Sequence, residues 1–279
     1  MIDGINFTKY SKNKIFKNLY KSNEIFDEEI EDTNQIIFRI PKDLTKIDNL
    51  ILCYDGQNLF DSSTSHFGTI FDLDLESLIN SFENQVQKNF LIISVTSNSK
   101  RQFQYNPYPT EGDKNFAEDH IENIVLKFIP SVKNFLGINF DQTKFIVAGA
   151  SMGGLMSIKT SILYPEFENI ISLSPAFWFG YPSILNDIEK LSNNTMTYLY
   201  TGMKEGHIFG DHVNNIFPNN WDVDFSNNDN FYFSGVKNIN DSFELYEKSI
   251  KFFVNDNGLH NETSWASAMP EIFLNLLNN

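Results

Sequence analysis

The stretch Lys144 to Gly154, K-F-I-V-A-G-A-S-M-G-G, constrains the fold more than any other. Phe145 to Ala148 is an apolar run too short for a helix, and Gly149 bounds it, so it reads as a fully buried strand. Leu155, Ile158 and Ile162 then recur at the spacing of one helix face. Between strand and helix lies G-x-S-x-G, Gly149 to Gly153. A strand that turns at once into a helix leaves Ser151 at the apex in strained backbone. The residues two before and two after it are crowded against the turning chain, so both must lack a Cβ. The turn exposes the Ser151 hydroxyl and aims the first helical N–H, that of Met152, at the space beside it.

Strands and helical segments alternate along the rest of the chain. Ile36 to Ile40 ahead of Pro41 reads as an early strand, and the acidic stretch Asp27 to Asp32 before it reads as a solvated loop. Leu50 to Tyr54 is a strand ending in D-G-Q-N-L-F-D, residues 72 to 84 carry a helical pattern, and Phe90 to Val95 is a strand again. Arg101 to Pro107 reads as a loop and Phe116 to Leu136 as a long helix that Pro130 kinks or breaks. Ile170 to Leu173, Met196 to Thr201 and Lys251 to Val254 complete the strands, and a last helix over Ser264 to Leu277 is interrupted by Pro270. This order predicts an α/β fold, a mostly parallel central sheet with helices on both faces. The chemically suggestive residues fall just after strands, where open parallel sheets bind ligands. Residues 1–279 read as one domain, with an insertion at 206–235 near the site.

Acidic residues outnumber basic ones by 36 to 21, a net charge of -15. That charge repels phosphate backbones and anionic surfaces, so neither nucleic acid nor membrane is an expected partner. The single cysteine, Cys53, sits in an apolar run and reads as a buried thiol. The N-terminus offers no continuous apolar core for a secretory signal, which points to the cytoplasm.

Six motifs carry a resemblance. They are Y-D-G-Q-N-L-F-D at Tyr54, R-Q-F-Q-Y-N-P at Arg101, G-A-S-M-G-G at Gly149, S-L-S-P-A-F-W at Ser172, Y-T-G-M-K-E ending at Glu205, and H-N-E-T-S-W at His260. In this order they resemble the esterase family of α/β-hydrolases that includes ferric enterobactin esterases, feruloyl and acetyl esterases, and S-formylglutathione hydrolases. The resemblance implies the α/β-hydrolase fold. It also implies a serine carboxylic-ester hydrolase that forms an acyl-enzyme on a small-molecule ester. An acyltransferase of the same family, or a silent relative that binds a carbohydrate or acyl ligand, is the alternative.

A serine hydroxyl needs a base to take its proton, and histidine titrates near neutrality. In this fold the order is nucleophile, acid, histidine, so the base lies downstream of Ser151 and after the final strand. His260 fits. His207 and His212 lie in the aromatic insertion, and His66 and His120 precede Ser151. The acid that holds the imidazole is Glu205, which matches the family's G-x-x-E, or Asp211. The resemblance selects the backbone of Gln57, with Met152, for the oxyanion hole. Trp178, Trp265 and Arg101 are candidate substrate-binding residues, and Gln104 stands where the family commonly has Glu. His207, Asp211 and His212 do not match H-E-x-x-H, and neither a metal nor a cofactor is expected.

Overall fold

A computed structural model describes residues 4–10, 18–60, 88–109 and 112–277. The helical pattern over 72–84 and His66 lie outside the described residues. The chain divides into two compact units, residues 1–147 and 148–279.

In the first unit, β1 (Phe7–Lys9) and β2 (Leu19–Ser22) form an antiparallel pair that no apolar run in the sequence announced. Residues 28–31 of the acidic stretch form a turn, as expected, but it joins an unannounced hairpin, β3 (Ile25–Asp27) and β4 (Asp32–Asn34). Asp27 Oδ1 accepts the N–H groups of Glu29 and Ile30 at 3.0 and 3.2 Å, so the short acidic side chain builds the turn. β5 (Ile36–Arg39) runs antiparallel to both β2 and β7 (Phe90–Val95), while β6 (Asn49–Cys53) is parallel to β7. Asn49 stands opposite Phe90 and Cys53 opposite Ser94. Every residue of β6 and β7 is buried, as expected of strands covered on both faces. Burial pushes the Cys53 thiol up to about 12.

Short helices α1 (Gln57–Phe60) and α2 (Arg101–Gln104) follow β6 and β7, the second where a loop was expected. The long helical pattern is realised as α3 (Phe116–Asn123), a wide π turn at Ile124–Phe128, and α4 (Ile129–Leu136). Pro130 does not end the helical stretch, but the regular α-helix is broken just before it, as the sequence predicts. The widened turn comes just before the residue that lacks an N–H, where the ordinary ladder must lose a bond.

β8 (Lys144–Ala150) runs across the division between the units. The second unit continues with α5 (Met152–Leu163), β9 (Asn169–Leu173), α6 (Ser183–Asp187), β10 (Met196–Gly202), α7 (Asn228–Leu245), β11 (Ser249–Asn255) and α8 (Glu262–Leu277). β9, β10 and β11 are parallel, with Met196 opposite both Asn169 and Ser249. α5 buries Met152 through Ser161 continuously, so it is a core helix rather than a surface one. α8 continues through Pro270 instead of breaking. Pro270 is exposed, and the carbonyl that loses its donor, four residues earlier, lies on a turn that water reaches. The fold is thus α/β, with a mixed and mostly parallel sheet flanked by helices, as the alternation of elements predicts.

Candidate active site

Ser151 stands between β8 and α5 at φ 57, ψ -123, a conformation that costs a non-glycine residue about 1–3 kcal/mol. The elbow is held from outside the turn. The Ser151 N–H donates to the Leu173 carbonyl at 2.9 Å, and its carbonyl accepts the Ala176 N–H at 3.0 Å. A Cβ on Gly149 would lie 2.3 Å from the Gly153 carbonyl oxygen, which is the steric reason for glycine there. No side chain caps α5, and Met152 is its first residue.

Glu205 lies three residues past the end of β10 and is fully buried. Its Oε2 is 2.8 Å from His260 Nδ1. Its Oε1 accepts the Gly202 N–H at 2.5 Å and the Ser174 hydroxyl at 2.6 Å. The close approach of two strand ends makes this geometry. A Cβ on Gly202 would fall 2.3 Å from the Gly258 carbonyl oxygen, and the Met203 and Lys204 N–H groups donate to the Asn255 and Gly258 carbonyls. The turn after β11 is therefore tied to the turn after β10. His260 is 4% exposed, and the chain beyond it turns into α8 where Asn261 Oδ1 accepts the Ser264 N–H at 2.9 Å.

Asp211 is exposed, and its carboxylate accepts the His212 N–H at 2.7 Å and the Asn215 amide at 3.2 Å. Those bonds, the His212 backbone first, lower its pKa. Of the two carboxylates weighed from sequence, Glu205 makes the contact with His260. Trp265 is buried and donates its indole N–H to Ser174 Oγ at 2.9 Å; its ring meets His260 edge-on, with centroids 5.0 Å apart. Trp178 is half-buried and packs on Tyr232 at 5.4 Å, and Tyr232 lies 5.3 Å from the His260 ring. His207 is exposed, with Nδ1 3.0 Å from the Lys204 carbonyl.

In the first unit, Arg101 meets Asp55 as a two-pronged fork, Nε to Oδ1 and Nη2 to Oδ2, both 2.7 Å. Asp55 sits at φ 57, and its N–H donates to the Tyr105 hydroxyl at 3.1 Å. Gln57 gives its side-chain amide to Asp55 and to Ser97 Oγ, at 3.2 and 2.7 Å. Gln104 is buried and donates to Asn34 Oδ1 at 2.8 Å, with its amide 3.1 Å from His120 Nδ1.

Sequence reasoning overlooked Ser174 and Tyr232. Ser174 directly follows β9, so the rule that marked the other residues, a polar group at the end of a parallel strand, would have found it. Tyr232, whose hydroxyl donates to the Ser174 carbonyl at 2.6 Å, lies on α7, a helix unread in the Asn-rich segment.

The fold is that of the α/β-hydrolases. Structures similar to it are consistently esterases and hydrolases of that class. A siderophore hydrolase, EstA from Aspergillus nidulans, is 17% identical with a TM-score of 0.64, over 94% of this chain and 95% of that one. A ferulic acid esterase is 11% identical with a TM-score of 0.62, over 91% of this chain and 95% of that one. The ferric enterobactin esterase of Salmonella typhimurium is 14% identical with a TM-score of 0.62, over 98% of this chain and 60% of that one. Among curated proteins the chain is similar to uncharacterized protein YbbA of Bacillus subtilis, 23% identical over 147 residues. That match spans 50% of this chain and only 58% of YbbA. No family model matches the chain. Among the described residues no helix is long and apolar enough to cross a membrane.

Proposed function

We propose that the protein is a serine carboxylic-ester hydrolase that acts on a small-molecule ester. Ser151 is the nucleophile, His260 the general base and acid, and Glu205 the carboxylate that fixes the imidazole. The observation that carries this reading is the 2.8 Å contact between Glu205 Oε2 and His260 Nδ1 in the same unit as a serine at φ 57. A carboxylate on Nδ1 leaves Nε2 as the nitrogen that takes the hydroxyl proton, and stabilises the imidazolium that results.

Ser151 Oγ attacks the ester carbonyl as its proton passes to His260, and the tetrahedral oxyanion collapses with protonation of the departing alcohol. Water, deprotonated by His260, then releases the acid from the acyl-serine. The Met152 N–H is a donor for the oxyanion. Trp178 is the aromatic wall of the substrate pocket. Trp265 and Arg101, with their polar groups committed to Ser174 and Asp55, serve as supports rather than substrate contacts.

Short p-nitrophenyl esters and a fluorophosphonate probe test the reading. Wild-type protein is expected to hydrolyse the esters and to be labelled at Ser151. Ser151→Ala is expected to lose both activities, by several orders of magnitude in rate, while keeping its melting temperature. Equal rates in the two proteins would remove Ser151 from the mechanism.

A further inference from the structure

We propose that Ser174 is a positioning residue for the acid of the triad, its hydroxyl fixing which oxygen of Glu205 faces His260; the inference rests on the esterase reading above. Ser174 leaves β9 at φ 46, a left-handed conformation that serine seldom adopts. Backbone bonds hold it there on both sides. Its N–H donates to the Tyr200 carbonyl at 2.7 Å, and its carbonyl accepts the Tyr232 hydroxyl at 2.6 Å.

The direction of the Ser174 hydroxyl is then forced. An indole N–H can only donate, so Trp265 Nε1, 2.9 Å away, takes a lone pair of Ser174 Oγ. An ionised carboxylate can only accept, so the Ser174 hydrogen goes to Glu205 Oε1, 2.6 Å away. With the Gly202 N–H on the same oxygen, Oε1 holds two donors and Oε2 is left for His260 Nδ1. Rotating the carboxylate would break all three bonds in a fully buried place. The same short segment holds the nucleophile, because Leu173 and Ala176, which flank Ser174, make the two backbone bonds to Ser151. One strand end thus aligns both members of the triad that lie on either side of it in sequence.

Ser174 also draws charge from the carboxylate. The other titratable groups facing Glu205 are Tyr200 and Tyr232; burial first, then the Glu205 charge, push both phenols up, Tyr200 to about 12. Neither phenol therefore ionises near neutral pH.

The test compares wild type, Ser174→Ala, Trp265→Phe and the double variant, with Ser151→Ala as control. Ser174→Ala is expected to lower kcat about 10- to 100-fold with KM within about twofold. The acid limb of its kcat/KM profile should move down by about half to one pH unit, because a carboxylate no longer held against Nδ1 supports the imidazolium less. The downfield proton resonance of the His260 Nδ1–H should shift as well, a readout independent of turnover. Trp265→Phe should give the same changes in smaller measure, and the double variant should be no worse than Ser174→Ala, since both act through one hydroxyl. A wild-type kcat in Ser174→Ala, an acid limb displaced upward, or additive losses would overturn the proposal. An upward displacement is what loss of the hydroxyl's pull on the Glu205 charge produces when the Glu205–His260 contact stays intact. If Ser174→Ala does not fold, Trp265→Phe decides alone, and an unchanged profile and resonance sink the idea. If Ser151→Ala keeps full activity, the esterase reading fails and takes this proposal with it. If Ser151→Ala is dead while Ser174→Ala is normal, only the positioning role fails.

Discussion

Two carboxylates sit just past strand ends, Asp55 after β6 in the first unit and Glu205 after β10 in the second, and they are buried to similar degrees, 8% and 0% exposed. Their company differs. Asp55 is gripped by the Arg101 guanidinium, a cation that never deprotonates in water. Glu205 is held by a peptide N–H, a hydroxyl and an imidazole. A charge compensated by a permanent cation can hold a loop in shape and little else. A charge that faces a group able to gain a proton during a reaction can stabilise that proton when it arrives. Under the proposed esterase reading, the difference separates a structural carboxylate from a working one more sharply than burial does.

Glu205→Gln should produce the largest effect of any change aimed at this contrast. The substitution keeps shape but removes the charge that favours the imidazolium, so kcat should fall by about 10³-fold or more with little change in melting temperature. Asp211→Asn should leave kcat within about twofold, because its carboxylate is exposed and spent on Asn215. Kinetics on one chromogenic ester check both. A larger loss in Asp211→Asn than in Glu205→Gln would move the acid to Asp211 and erase the distinction drawn between Glu205 and Asp55.

Arg101→Met attacks the other side. It strands Asp55 with no cation, and breaking a buried pair costs about 3–5 kcal/mol. The Arg101 side chain is 31% exposed, so solvent should reduce this to about 2 kcal/mol. Urea unfolding should show that loss, and the double variant Arg101→Met/Asp55→Leu should recover part of it. A fall in catalytic rate at undiminished stability would give Arg101 back the substrate contact expected from sequence.

The buried parallel strands and the turn at Ser151 were legible because each has a single strong signal. β6, β7 and β9 are short apolar runs, and G-x-S-x-G can be housed only where strand turns to helix. α7 was missed although Phe231, Gly235, Ile239 and Phe243 repeat every four residues and are all buried. The polar residues before and between them, Asn228, Asn230, Asn238 and Asn240, carry low helix propensity, and tertiary burial overrides it. The hairpin β3–β4 was missed for the converse reason, since Asp27 acts through its hydrogen bonds to the turn and not through its charge. His260 and Glu205 stood out by order along the chain. Ser174 was marked in the sequence only by its place just after β9, because its role depends on four partners 26 to 91 residues away, Tyr200, Glu205, Tyr232 and Trp265.

The smallest expected effect concerns the histidines, which repeat the contrast of the carboxylates. His260 faces Glu205, whereas His120 lies buried among Tyr54, Tyr105 and Gln104 in the first unit, 2% exposed. Burial pushes the His120 imidazole down to about 3, against about 6.5 in an unfolded chain. The sign follows from proton counting. Between those two values the unfolded chain binds a proton that the folded chain refuses, so acid favours unfolding and the contribution of His120 to stability falls as pH falls from about 6.5 toward 3. The slope approaches about 1.4 kcal/mol per pH unit, which gives about 1 kcal/mol between pH 6 and pH 5. His120→Gln removes the titration while offering Gln104 an amide oxygen in place of Nδ1. Its unfolding free energy should therefore drop less than that of wild type over the same interval, by about that amount. Urea midpoints at pH 6 and 5 for both proteins isolate the difference, because every other titrating group cancels. Parallel pH dependence in the two would mean that His120 takes up its proton in the folded state, and that the first unit tolerates a charge where its packing says it should not.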